Sequence, residues 1–164
     1  MAIRVGMTLH GLDELEAALR ELPTRLAKNT LRRSLLKAAK IMEEAMAGNA
    51  PSNRLRVRIV TSASLSKRQR AMSPIKRKPS EVTVYVGSRP LRHAHLVEFG
   101  SGPRYNKAGA YRGSMPAHPY VRPGFDSTAM PVIVEFGRIL GPEIERTAAR
   151  YAKKQAKAKA YGNV

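Results

Sequence analysis

Residues 93–105 read HAHLVEFGSGPRY, and this stretch decides between a metal-binding site and an ordinary element of the fold. On a helix, His93 and His95 face away from each other, whereas His95 and Glu98 are three residues apart and can touch. The segment therefore supplies two metal ligands at most, and His118 would have to complete the site from a later loop. Zinc sites usually show tighter spacing, as in HExxH, so we expect no metal here and no cofactor.

A helix that runs from Leu91 to Phe99 and ends at a glycine explains the same residues without a ligand. Gly100 would supply the positive φ that terminates the helix, in a left-handed conformation. In this interpretation Glu98 pairs with one of the many arginines. Three apolar side chains then pack inward, namely Leu96, Val97 and Phe99.

The rest of the sequence contains no motif for common catalytic chemistry. It has no cysteine, which excludes disulfides, thiolate metal sites and cysteine nucleophiles. No serine lies in a GxSxG motif, and neither GxxxxGK[ST] nor GxGxxG occurs. The sequence therefore favours a protein that is not an enzyme.

The strongest signal in the composition is the positive charge. The 164 residues carry 30 Lys and Arg against 12 Asp and Glu, a formal net charge of +18. From Ala45 to Val97 the only acid is Glu81. This part of the chain includes a cluster of nine cations: Arg54, Arg56, Arg58, Lys67, Arg68, Arg70, Lys76, Arg77 and Lys78. A field of this kind attracts polyanions, so we expect the nine cations to contact DNA or an acidic surface of a partner protein.

The hydropathy of the chain predicts no contact with a membrane. No uninterrupted apolar stretch approaches the roughly 20 residues that span a bilayer, and no signal-peptide pattern opens the sequence. Together with the absence of cysteine, this indicates a protein that is made and assembled in a reducing cytoplasm.

Leucines at helical spacing predict two N-terminal helices. The first spans about residues 13–22 and the second about 24–47, with Pro23 interrupting the apolar stripe between them. In the second helix this stripe comprises Leu31, Leu35, Ala38, Met42 and Ala45. A long helix is predicted over about 126–156, with a kink at Gly141–Pro142, after a turn at Pro119 and Pro123. Residues 1–10 alternate in hydropathy and predict a short edge strand.

Period-two alternation predicts two further strands that pair antiparallel. Apolar residues alternate with other types at Leu55, Val57 and Ile59 and again at Val82, Val84 and Val86. The first strand would carry its arginines on one face. Residues 62–80 are too many for a tight turn and too charged to pack, which predicts a long basic loop. The whole is an α+β fold: kinked N-terminal helices and a long C-terminal helix packed on a small antiparallel sheet. We expect a single domain over residues 1–150 and a basic tail over 151–164.

Three tyrosines offer a further hypothesis. Tyr105, Tyr111 and Tyr120 are interleaved with basic residues in a stretch without clear periodicity. Such tyrosines stack bases in single-strand binders, and elsewhere they are turn or interface residues.

Several short motifs follow one another in an order that is similar to a known family. A leucine-striped helical N-terminus closes on Asn49-Ala50-Pro51 and is followed by a strand, by Val86-Gly87, by HLVEFG at 95–100 and by MPAHPYVRPGFD at 115–126. A long helix comes after them. In this order they resemble the neck or head–tail joining proteins of tailed bacteriophages, which include minor tail and tail-completion morphogenesis proteins. The resemblance covers residues 8–150 and leaves out the basic insert at 62–80.

The resemblance implies a structural virion protein. It would be one subunit of a homo-oligomeric ring at the head–tail junction, a hexamer in preference to a dodecamer, with genomic double-stranded DNA in its channel and connector and tail proteins adjoining it. It also implies a fold and interface elbow made of Glu98, Phe99, Gly100, Pro116, Pro119, Tyr120, Arg122 and Pro123. The charge alone fits a second class equally, a free basic nucleic-acid-binding protein, and this remains the alternative.

Overall fold

The computed structural model describes residues 12–20, 22–72, 81–89, 91 and 93–161. Its elements in chain order are α1 (Leu12–Arg20), α2 (Thr24–Ala38), α3 (Lys40–Asn49), α4 (Asn53–Arg56), β1 (Ile59–Ser62), α5 (Lys67–Met72), β2 (Tyr85–Ser88), α6 (Ala94–Phe99) and α7 (Val121–Tyr161). The C-terminal helix α7 packs on α1, α2 and α3, and α3 packs on a small antiparallel sheet, so the predicted α+β class is confirmed. The edge strand predicted for residues 1–10 lies outside the described residues.

The N-terminal helices break at the proline, as predicted. Pro23 precedes α2 with an extended conformation, φ −50° and ψ 134°, because a proline lacks the N–H that would continue the helix. The predicted second helix is in fact α2 and α3, which meet at Ala39. The N–H of Ala39 donates to Leu35 O at 2.9 Å and that of Glu43 donates to Ala39 O at 3.1 Å, so helical hydrogen bonding continues across the junction.

The first predicted strand is wrong in its position. Residues 53–56 form the short helix α4, which begins where the Ser52 hydroxyl accepts a hydrogen bond from the N–H of Leu55 at 3.3 Å. The strand β1 starts only at Ile59 and pairs antiparallel with β2, with Ile59 opposite Ser88. The antiparallel pair is thus confirmed, but the predicted face of arginines on the strand does not exist.

The predicted long basic loop also contains a helix. Ser66 and Gln69 form a reciprocal capping box at the start of α5: the Ser66 hydroxyl accepts from the N–H of Gln69 at 3.3 Å, and Gln69 Oε1 accepts from the N–H of Ser66 at 3.1 Å. Residues 73–80 of the insert lie outside the described residues.

The C-terminal helix α7 is longer than predicted. It comprises 41 residues, which corresponds to a length of about 60 Å. Pro123 lies in its first turn, where the missing N–H has no partner to lose, so the turn predicted at this residue is wrong. The helix runs through residue 150 to Tyr161, and most of the segment predicted as a tail is helical. No helix in the described part of the chain has the length and apolar composition needed to cross a bilayer.

Two apolar clusters hold these elements together. One joins α3, α4, β1 and α6 to the start of α7, and its buried members are Met46, Ala50, Leu55, Ile59, Ala94 and Tyr120. The other joins the α1–α2 junction to the middle of α7, with Leu22, Leu140 and Ile144 buried.

The contact between α2 and α7 uses small polar residues. Thr30, Ser34 and Ala38, spaced four apart, form the buried face of α2. The hydroxyls of Thr30 and Thr147 lie 3.0 Å apart and form a buried hydrogen bond across the contact. Ala38 of the predicted stripe is fully buried, whereas Leu31 and Leu35 are only partly buried, each one residue after a buried position.

Candidate functional site

A buried carboxylate joins α6 to the start of α7. Glu98 Oε2 accepts hydrogen bonds from the backbone N–H groups of Tyr120 at 2.8 Å and Val121 at 2.9 Å. Its other oxygen, Oε1, accepts from the N–H of Arg122 at 3.1 Å. These are the unpaired donors of the first turn of α7, at the positive end of its dipole. Glu98 therefore caps a helix that begins 23 residues later in the chain, and the expected pairing with an arginine side chain is wrong.

The surroundings of this carboxylate favour its charged form. Burial by itself would raise the pKa of Glu98, but the hydrogen bonds from Val121, Tyr120 and Arg122 outweigh it and hold the pKa below the ordinary value of 4.5. The neighbouring Tyr120 ring is buried, and this burial raises the pKa of its phenol, against a hydrogen bond with Ser88. The Glu98 carboxylate is therefore charged at neutral pH.

Gly100 turns the chain away from the end of α6. Its φ is +73°, as expected, but its ψ is −179°, so the conformation is not the left-handed helical one. That region is accessible almost only to glycine. A Cβ at this position would also lie 2.9 Å from the Ala117 nitrogen and 2.9 Å from the Met115 oxygen. The position therefore requires glycine for two independent reasons.

The chain between residues 101 and 115 forms an exposed hairpin-like segment, which we call the arm. Its base is closed by hydrogen bonds from Ser101 N to Met115 O at 2.8 Å and from Met115 N to Ser101 O at 3.1 Å. Further along, the rings of Tyr105 and Tyr111 pack against each other with centroids 5.7 Å apart. The sequence had not predicted this pairing. Tyr120 lies outside the arm and is buried, so it cannot stack bases.

Phe99 does not pack inward as predicted. Its side chain is 80% exposed, although it follows the buried Glu98 directly. It borders a cavity of about 830 Å³, which we call the apolar groove. The other wall residues include Leu35, Met42, Val84, Phe125 and Val132, and Phe125 is itself 52% exposed.

The remaining predicted elbow residues are exposed. Pro116 and Pro119 are exposed in the extended segment between the arm and α7. The side chain of Arg122 is exposed and lies 3.9 Å from the Asp126 carboxylate, one turn along α7. Among the predicted elbow residues, Glu98 contacts backbone N–H groups, and Pro116, Pro119 and Arg122 lie at the surface.

The histidines do not converge. The side chains of His93, His95 and His118 are all exposed, and His118 is tied to the elbow through its backbone, which donates to Val97 O at 2.8 Å. Within the described ranges, no three His, Asp or Glu side chains are close enough to hold a metal ion.

The predicted basic contact residues lie on two short helices at either end of β1. Arg54 and Arg56 belong to α4, Arg58 to the following turn, and Lys67, Arg68 and Arg70 to α5, all of them exposed. The last three members, Lys76, Arg77 and Lys78, lie outside the described residues. The structure therefore places five of the nine cations on helices and Arg58 in a turn.

A second basic surface was not predicted from the sequence. A cleft of about 570 Å³ separates α2 from the C-terminal half of α7, and we call it the basic groove. Its lining includes Arg25 and Arg33 from one helix and Arg150 and Lys154 from the other. The helical spacing of basic residues in both segments was a signal that could have found it.

Comparison with known proteins identifies the family. Residues 13–100, more than half of the chain, match the family described as "Bacteriophage HK97-gp10, putative tail-component". The chain therefore belongs to this family of phage tail components, and the resemblance drawn from the motifs is confirmed. Such components are structural parts of the virion and typically have no enzymatic activity. No curated protein and no solved structure gives a significant match.

Proposed function

We propose that the chain is a ring-forming subunit of the phage head–tail junction, which joins the capsid portal complex to the tail and surrounds the DNA path. Membership of the family supports a structural tail component. The observation that carries the finer proposal is that one subunit exposes two separate apolar surfaces. The first is the apolar groove, with the exposed rings of Phe99 and Phe125.

The second surface lies on the opposite side of α7, and we call it the outer face. It consists of Met130 and Val134, which are 44% and 61% exposed and stand four residues apart. With 3.6 residues per turn, these two positions lie roughly 140° to 180° around the helix axis from Phe125. The apolar groove and the outer face therefore point in different directions.

Two different apolar surfaces on one subunit favour a head-to-tail contact, in which the outer face of one copy enters the groove of the next. Such heterologous contacts generate a ring when the rotation between copies closes. Burial of Phe99 would contribute about 1.5–3 kcal/mol to the contact, and burial of the already half-buried Phe125 would contribute less. We favour six subunits, with twelve as the alternative order.

In such a ring, the basic helices and the arm would contact the DNA and the adjoining phage proteins. We propose that the cations of α4 and α5 face DNA in the channel or an acidic surface of the adjoining connector, because this part of the chain has so few acids of its own. The exposed arm is the element that we expect to reach an adjoining connector or tail protein.

Oligomeric state tests the ring. A groove variant, Phe99→Ser with Phe125→Ser, and an outer-face variant, Met130→Ser with Val134→Ser, should each be monomeric where the wild type forms a closed ring by light scattering and native mass spectrometry. The control is Val57→Ser, which removes an exposed apolar residue between α4 and β1, outside both surfaces, and should leave the ring intact.

Mixing the two variants distinguishes the type of contact. In a head-to-tail ring, the mixture retains one intact contact and should give heterodimers but nothing larger. In a contact of groove with groove, the mixture gives no heterodimer, and only the groove variant is monomeric. A wild-type chain that stays monomeric at high concentration, with the connector protein present as well, would contradict the proposal.

A further inference from the structure

Two helical segments contain several basic residues and no acidic residue. The helix α2 contains no acid and five cations: Arg25, Lys28, Arg32, Arg33 and Lys37. The last part of α7, residues 146–161, contains no acid and six cations: Arg146, Arg150, Lys153, Lys154, Lys157 and Lys159. These segments are more than 100 residues apart in sequence but pack side by side, joined by the buried hydrogen bond between Thr30 and Thr147.

The basic groove runs between them, and cations line both of its walls. Arg25 and Arg33 come from α2, and Arg150 and Lys154 come from α7. The Arg33 guanidinium donates to the Thr147 hydroxyl at 3.3 Å, which holds it at the wall. The lining side chains described by the structure include no carboxylate. Four positive charges therefore face one cleft without an internal counter-charge there.

The nearest buried acid does not neutralise this groove. Glu143 forms an ion pair with Lys37 and lies 3.8 Å from Arg146, one turn before the groove begins. Hydrogen bonding to Lys37 lowers the pKa of Glu143, and the positive charges of Lys37, Arg33 and Arg146 lower it further, so this carboxylate partly balances Arg33. The other three cations of the groove, Arg25, Arg150 and Lys154, are thus left for an external anion.

The spacing of the cations favours a linear polyanion over a small ion. Arg25 and Arg33 are separated by about 12 Å along α2, and Arg150 and Lys154 by about 6 Å along α7. One phosphate cannot contact rows of this length, whereas successive phosphates of a nucleic acid strand can. Stabilisation of the helix dipole does not explain the pattern, because its effect is confined to the last turn and Arg150 lies 11 residues before the end of α7.

We propose that the basic groove binds the phosphate backbone of nucleic acid. The contact is electrostatic and independent of base sequence, with the Tyr151 hydroxyl and the Gln155 amide as neighbouring polar groups in the lining. It is a different surface from the basic insert and uses a single subunit, so it goes beyond the proposed ring and does not depend on it.

The test compares two triple variants with the same charge. The groove variant carries Arg25→Gln, Arg150→Gln and Lys154→Gln. The control carries Arg32→Gln, Lys153→Gln and Lys157→Gln, on the same two helices but outside the groove lining. Each lowers the formal net charge from +18 by three, and all six residues are exposed, so both should keep the circular dichroism spectrum and melting temperature of the wild type.

Binding is measured by fluorescence anisotropy with a mixed-sequence DNA duplex of about 20 base pairs over a range of salt concentrations. Loss of three phosphate contacts should reduce the slope of log affinity against log salt by about 2 to 3 in the groove variant, and by less than about 1 in the control. A single-stranded oligonucleotide of the same length should show the same ordering of the variants.

Two results would overturn the proposal. Equal losses in the two triple variants would mean that only the net charge matters. In the second result, polyglutamate would compete with the labelled DNA as effectively as unlabelled DNA does, and this competition would be lost only in the groove variant. The groove would then be assigned to an acidic protein. A groove variant that forms normal rings but binds DNA weakly would support the nucleic-acid groove without contradicting the proposed ring. It would also show that the two surfaces act independently.

Discussion

Replacement of Glu98 by glutamine keeps the size of the side chain and removes its charge. In the wild type both carboxylate oxygens accept hydrogen bonds from the first turn of α7, two at Oε2 and one at Oε1. Glutamine offers one accepting oxygen and one NH₂ group, which would face a backbone N–H as a second donor. At least one buried N–H therefore loses its partner.

The magnitude follows from these contacts. An unsatisfied buried donor costs about 1–3 kcal/mol, and loss of a carboxylate at a helix N-terminus costs about 0.3–2 kcal/mol. We expect Glu98→Gln to lower the free energy of unfolding at neutral pH by about 2–4 kcal/mol in all. The control is Glu145→Gln, which removes the charge of an exposed residue of α7 and should change stability by less than about 0.5 kcal/mol.

The lowered pKa of Glu98 determines how its contribution to stability changes with pH. The pKa of Glu98 in the folded chain is below 4.5, so the unfolded chain takes up this proton first. The stabilisation is therefore fully present above that ordinary value and is lost as the pH falls through the folded pKa. Other carboxylates with lowered pKa, such as Glu43, reduce the stability of both proteins alike at acid pH.

Urea denaturation at neutral pH and in steps below pH 4.5 measures the effect. The difference between wild type and Glu98→Gln should be largest at neutral pH and should shrink through the acid range. An unchanged free energy of unfolding at neutral pH would refute the cap. A difference that stays constant with pH would show that the loss comes from packing and not from the charge.

Two glycines provide further predictions, each measured by urea denaturation against a matched glycine. Gly124→Ala should lower the free energy of unfolding by about 1–3 kcal/mol, because a Cβ would lie 2.6 Å from Met46 Cγ and 3.0 Å from its Cα. Gly137→Ala, with no atom within 4 Å of the new methyl, should be neutral or stabilise the same helix by up to about 1 kcal/mol. Gly100→Ala should cost about 2 kcal/mol or more through its positive φ and the close backbone of the next segment, whereas Gly102→Ala, in open space, should cost little. Equal effects within either pair would contradict the geometry.

The sequence predicted those elements whose signals are local. Pro23 separates two helices, as predicted, although Pro131 and Pro142 lie inside α7 without ending it. The alternation of apolar residues indicated an antiparallel pair. The same alternation misplaced β1, since a period of two over Leu55–Ile59 does not exclude a single helical turn, and Ser52 was available to cap one. The capping box of Ser66 and Gln69 was also a readable signal for α5.

The site was less predictable because its contacts are distant in sequence. Glu98 looks like one of several surface acids, and only the fold brings it to N–H groups 22 residues later. Thr30 and Ser34 read as the polar side of α2, yet they form its buried face because small side chains let α7 approach closely. Phe99 reads as a core residue at helical spacing, but the buried face of α6 is formed by Ala94 and Glu98, and Phe99 lies about 100° further around the helix.

The region matched by the family ends at residue 100, but the physical interactions of that region do not. The inner face of α2 is closed by Thr147, the apolar residue Leu22 packs on Leu140 and Ile144, and Met46 meets Gly124. All of these partners belong to α7, which lies wholly beyond the match. Glu98, two residues before the end of the match, supplies the cap that fixes where α7 begins. In this chain the matched region therefore depends on α7 for its packing, since without α7 its helices would leave their buried faces in water.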